Sequence, residues 1–191
     1  MMKSIVLISL CIGLIGCSKA PALKVYSLNI PTIEMPVSHR YSSKTVKVTF
    51  PQSLREQMSQ KMNFSYSNSD RGTYQNSEWS NNTGKLLQGT FIEVLDNARV
   101  FKAVLSNNTT LKTNYRLESN IFAFEHRVRG TQSHAIISVQ FTLINADTGV
   151  LVKSKRFSYQ EVTQSINAEG YASATNVAMS RLSQDLVGWL R

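Results

Sequence analysis

Cysteine is nearly absent from this chain: of 191 residues only Cys11 and Cys17 carry a thiol. Both fall at the extreme N-terminus, which leaves the rest of the chain without disulfides or cysteine metal sites. Long apolar runs are lacking too. Ile5–Ile15 carries no charge, but a helix needs roughly 20 such residues to cross a bilayer. Catalytic signatures are missing as well. His39, His126 and His134 have no HExxH or similar close metal-ligand spacing. There is no Gly-x-Ser-x-Gly, no Walker motif and no dinucleotide-binding glycine loop. No enzyme chemistry, metal or cofactor is expected.

What is present begins with an N-terminus of three successive segments. Met1-Met2-Lys3 carries one positive charge, the apolar stretch follows, and Leu14-Ile15-Gly16-Cys17 closes it. A short basic segment, an apolar core and small residues at a cut make a secretory signal. Leu-Ile-Gly-Cys resembles the lipobox of bacterial lipoproteins, which implies cleavage before Cys17 and acylation of its thiol and freed amine. Several acyl chains together anchor a protein where one binds only reversibly. Ser18 stands where an Asp signals inner-membrane retention, so the resemblance implies the periplasmic face of the outer membrane. The expected organisation is a signal peptide at 1–16, a lipidated tether at 17–24 and one domain at 25–191.

Removing 1–16 leaves 175 residues, enough for a single domain with its own core. The formal charge of +9 falls to about +8 with the loss of Lys3. That excess invites a nucleic-acid reading, since basic surfaces attract phosphates of any origin. The basic residues are scattered, as in Lys44/Lys47, Arg127/Arg129 and Lys153/Lys155/Arg156, and form no basic arm or nucleic-acid motif. Nucleic acid is not an expected partner; a membrane, through the anchor, is.

Alternating patterns predict strands at 24–31 and 44–51, each closed by a proline. Residues 52–84 are polar, and either a short hairpin about Asp70–Gly72 or an irregular loop fits them, with Trp79 as a core anchor. Leu87, Phe91, Val94 and Ala98 predict a helix over 85–101, with Asn82 or Thr83 as N-cap. "KAVLS" reads as a short strand and "NNTT" as a turn. Residues 113–128 alternate but switch phase near Ile121-Phe122, which predicts a bulge. "HAIISVQFTLI" and "VLVKSKRFSYQEV" flank "NADTG" as a hairpin. A helix over 168–190 carries one stripe from Tyr171 through Ala174, Ala178, Leu182 and Leu186 to Trp189. The expected fold is a single α+β domain, an antiparallel-rich sheet with two main helices packed on it.

Asp147-Thr148-Gly149 matches the carboxylate string of aspartic proteases, but that chemistry takes two aspartates and only one such string occurs. Between two strands the same string suits a tight turn. His126 and His134 flank Gly130 and are expected to face each other across a hairpin, solvated or hydrogen-bonded rather than metal-bound. Asn108-Thr109-Thr110 fits a glycosylation acceptor and reads as a turn.

The lipobox, "VYSLNIP", "EWSNN", "LDNARVF", "NYRLESNIFAFE", "ISVQFTLINADTGVLVKSKRF" and the closing "LSQDLVGWL" occur in an order that resembles the ABC-type transport auxiliary lipoproteins. The polar 52–77 region departs from that family's usual pattern. The resemblance implies partnership with an MCE-domain protein and an ABC permease and ATPase in moving phospholipids or similar hydrophobic molecules. It implies a structural role without catalytic residues, and a possible homo-oligomer. The alternative is an assembly lipoprotein of another envelope complex, such as lipopolysaccharide export, secretion or motility.

Overall fold

The computed structural model describes residues 21–31, 33, 40–53 and 58–191. Its strands are β1 (Lys24–Tyr26), β2 (Thr45–Val48), β3 (Gln52–Ser53), β4 (Lys61–Ser65), β5 (Arg71–Trp79), β6 (Ala103–Ser106), β7 (Tyr115–Arg129), β8 (Gln132–Asn145) and β9 (Leu151–Val162). Helix α1 (Thr83–Asn97) lies between β5 and β6, and α2 (Ala168–Leu190) ends the chain. All nine strands join one sheet.

β7 organises that sheet. One edge pairs along its whole length with β8, and β8 pairs with β9, both antiparallel. Three short parallel strands share the opposite edge: β2 at Tyr115–Leu117, β3 at Asn120–Ile121 and β4 at His126–Arg127. β2 continues outward to β6, and β4 to β5 and β1.

The sheet is therefore mixed, not antiparallel-rich. Five of its eight strand pairings are parallel, although these are the short ones. Parallel neighbours need a crossover. β3 to β5 and α1 carry the chain from β2 to its parallel neighbour β6, and the alternation of side chains within each strand is blind to that route. The first strand is also shorter than expected, only Lys24–Tyr26. β3, two residues long, is too short to show any periodic pattern.

The core lies between the sheet and both helices. Leu87, Phe91, Val94 and Leu95 of α1 are buried, as are Tyr171, Ala178, Leu182 and Leu186 of α2. Phe91 meets Phe141 of β8 edge-to-face at 4.9 Å, and Trp79, 1% exposed, packs between Phe124 and Tyr171. The Asn82 and Asn167 side chains accept hydrogen bonds from Gly84 N and Gly170 N, which caps each helix. α1 stops four residues early because Arg99 takes a left-handed φ of 49°. That break turns Val100 and Phe101 back into the core.

The polar 61–79 region is a hairpin. Its turn runs from Tyr66 to Asp70, where Tyr66 N donates to Asp70 O at 2.9 Å. Gly72 is not the turn residue. It sits in β5 opposite Phe64, where an added Cβ would come within 2.6 Å of the Phe64 ring.

Candidate functional site

Cys17 and Ser18, the expected lipidation and sorting residues, lie outside the described residues, as does His39. Among the described residues, no helix is long and apolar enough to cross a membrane, and no cluster of His, Cys, Asp or Glu could hold a metal ion.

Asp147 is exposed at the β8–β9 turn. Asn145 Oδ1 accepts from Asp147 N at 3.0 Å and Thr148 N at 3.1 Å, and Gly149 takes a φ of 70°. Three consecutive features of a tight turn thus occupy the protease-like string. Asn108 lies in the exposed turn after β6.

His126 and His134 do not face each other. The β7–β8 register sets His126 opposite Ala135, and His134 opposite Arg127, so strand alternation sends the two imidazoles to opposite faces. His126 enters the core with no exposed surface. Its Nδ1 is 2.6 Å from the Tyr74 hydroxyl, its ring stacks on Tyr171, and its Nε2 has no hydrogen-bond partner among the described residues. Burial, with a smaller contribution from the His134 charge, pulls the His126 pKa down to about 4. Burial likewise pushes Tyr74 up to about 12, aided by Tyr66. The pair is a neutral core contact.

The other face of the sheet carries a cavity that sequence reasoning missed. It opens beneath the β4–β5 turn and spans β7, β8 and β9, with a volume of about 560 Å³. A bulge in β7 shapes its floor: the register slips between Ile121 and Ala123. Before the slip Leu117, Ser119 and Ile121 alternate as buried residues, and after it Phe124, His126 and Val128 do. Phe122, Ala123, Glu125 and Arg127 therefore line the cavity on the far side.

Glu125 is the electrostatic centre of one end. Its side chain is only 7% exposed, and both oxygens are bonded: Arg71 Nη2 donates to Oε2 at 2.7 Å and Arg127 Nη2 to Oε1 at 2.6 Å. At the other end Arg156 Nε donates to Ser138 Oγ at 2.9 Å, while the guanidinium lies 3.9 Å above the Phe122 ring. Ser138 Oγ in turn shares a 2.7 Å hydrogen bond with Ser158 Oγ. Three arginines from β5, β7 and β9 thus line one cavity, two of them bonded to its single described carboxylate. In the sequence they stand as far apart as Arg71 and Arg156, so no local charge run announces them. The detectable signal was the phase switch at Phe122, which puts Ala123, Glu125 and Arg127 on one face.

A family model described as "ABC-type transport auxiliary lipoprotein component" matches residues 43–187. Comparison with curated proteins gives no match. Among solved structures, protein XCC0632 from Xanthomonas campestris aligns with a TM-score of 0.76 at 19% identity, covering 87% of this chain and 94% of that one. An uncharacterized protein aligns at 0.68 with 13% identity, covering 90% and 100%. A PelC dodecamer from Paraburkholderia phytofirmans aligns at 0.50 with 13% identity, covering 83% and 94%. At these identities the likeness is one of fold.

Proposed function

Since this chain belongs to the ABC-type transport auxiliary lipoprotein family, we propose that it is the lipid-anchored docking subunit of an MCE-type system that moves phospholipids or similar hydrophobic molecules across the envelope. The observation that carries this reading is the family match over 43–187, which spans β2 to most of α2. Acylation at Cys17 anchors the chain, and Ser18 directs it to the periplasmic face of the outer membrane. A separate ATPase supplies the energy and a permease the membrane passage. The domain itself is a structural component rather than an enzyme. The dodecameric state of PelC supports assembly of several copies of this chain.

The test is capture of the full-length chain from envelope membranes. An MCE-domain protein, a permease and an ATPase are the expected companions. Recovery of a lipopolysaccharide-export, secretion or motility complex in their place would overturn the assignment. In parallel, a radioactive fatty acid should label the natural chain and not Cys17→Ala, and equal label in both would refute the anchor. Ser18→Asp should shift the protein to the inner membrane, and unchanged fractionation would refute the sorting role.

A further inference from the structure

We propose that the cavity on the helix-free face, between Arg71, Arg127, Arg156 and the Ser138/Ser158 pair, binds a phosphate-bearing anion of headgroup size. The site stands on side-chain geometry alone. The transport reading adds only where such a headgroup would come from, so ligand binding and partner capture fail independently.

Charge balance is the first argument. Among the described residues, the wall of the cavity carries three guanidiniums, those of Arg71, Arg127 and Arg156, and a single carboxylate, that of Glu125. Glu125 has both oxygens engaged, so it neutralises one arginine and has none left for Arg156. Arg156 makes no ion pair with any acid among the described residues. An Arg–Glu–Arg network that merely ties β5 to β7 would account for Arg71, Glu125 and Arg127. It does not account for a third arginine, on β9, braced toward the same cavity.

Preorganisation is the second. A free arginine on a surface loses side-chain entropy when it grips a ligand. Arg156 is already held by its Nε bond to Ser138 and by the Phe122 face, leaving its two terminal nitrogens to donate. Planar guanidiniums in fixed orientations are the usual recognition element for phosphate and carboxylate.

Shape then chooses between those two anions. The donors arrive from β5, β7 and β9, with further lining hydroxyls from β8 and β9 and from Ser65 and Ser67. A tetrahedral phosphate offers oxygens in several directions, whereas a carboxylate offers two in one plane. The volume of about 560 Å³ falls within the roughly 300–1,000 Å³ of small-ligand sites, more than a bare anion fills. Phe122, Ala123 and Ile136 supply an apolar wall for the attached carbon groups.

Calorimetric titration of the full-length chain in non-ionic detergent tests this, with glycerophosphoglycerol, inorganic phosphate and succinate as probes. Glycerophosphoglycerol should bind, and Arg156→Gln should weaken it about tenfold or more, the scale of a lost charge-assisted hydrogen bond. Lys102→Gln, which removes the same charge from an exposed position elsewhere, should leave binding unchanged. Arg156 is itself exposed, so the melting temperature of its variant should stay near that of the natural chain. Tighter binding of glycerophosphoglycerol than of inorganic phosphate supports the site with a lipid headgroup as source; equal binding supports it with free phosphate as source. Succinate binding above both, equal weakening by the two variants, or no binding at all would overturn the proposal.

Discussion

The His126 imidazole lies flat against the Tyr171 ring, with centroids 5.2 Å apart and planes 2° from parallel. This stack joins β7 to the first turn of α2 inside the core, where burial disfavours the charged imidazole. Burial lowers the pKa of His126 to about 4, against about 6.5 in the unfolded chain. Between those values the unfolded state binds the proton and the folded state does not, so stability falls as pH falls through that window. The loss should approach about 3 kcal/mol near pH 4. Denaturant midpoints across pH 4–7 should show this slope. The double variant His126→Phe/Tyr74→Phe should flatten it, and an unchanged slope would remove His126 as its source.

The closing helix holds its stripe against its own sheet. Leu182 has no exposed surface, and Leu182→Ala should destabilise the domain by about 2–5 kcal/mol. Trp189 is half-buried: its ring meets Phe157 at 6.2 Å, and its carbonyl accepts a 2.6 Å hydrogen bond from Lys153 Nζ. Trp189→Ala should therefore also lower the melting temperature, by less than Leu182→Ala. A Trp189→Ala variant with an unaltered melting temperature would mean that the tryptophan is covered by a partner instead.

Two glycines should respond to alanine with opposite signs. Gly72→Ala drives a Cβ into the Phe64 ring, and overpacking of this kind costs about 1–3 kcal/mol. Gly89, exposed in the middle of α1, has open space within 4 Å of where an alanine methyl would stand, and Gly89→Ala should stabilise by about 0.5–1 kcal/mol. Thermal melts of the two variants check both signs.

At the β8–β9 turn, Asp147→Asn should leave folding and envelope function intact, since either residue suits the position. Gly149→Ala meets its positive φ and should cost about 1 kcal/mol. Loss of function in a well-folded Asp147→Asn protein would restore a chemical role to that carboxylate.

What was legible in the sequence had a local period. The stripe from Tyr171 to Trp189 marks α2 to its boundaries, because a helix repeats its own burial every turn. The phase switch at Phe122 is the bulge itself, since one extra residue exchanges the two faces of a strand. Pairing between distant strands left no such trace. Val46 alternates with Val48 whether its neighbour runs parallel or antiparallel, so the mixed sheet could not be read from it. Gly72 looked like a turn residue because small residues mark turns more often than ring contacts. The arginine cavity depends on three strands at once, and Arg71 is drawn into it only by the β4–β5 hairpin.

The one-to-three division of β7's edges also dictates an order of assembly. The β7–β8 and β8–β9 hairpins close over short loops, and they do so early because little chain entropy is lost. The pairings of β2, β3 and β4 with β7 span far more chain, as with Val46 and Tyr115 or Phe64 and His126. A chain emerging N-terminus first can close the β4–β5 hairpin and pair β2 with β6 on its own, but these pieces share no strand until β7 arrives to receive them. The two halves of the sheet thus become one only through β7, whose single edge gathers β2, β3 and β4.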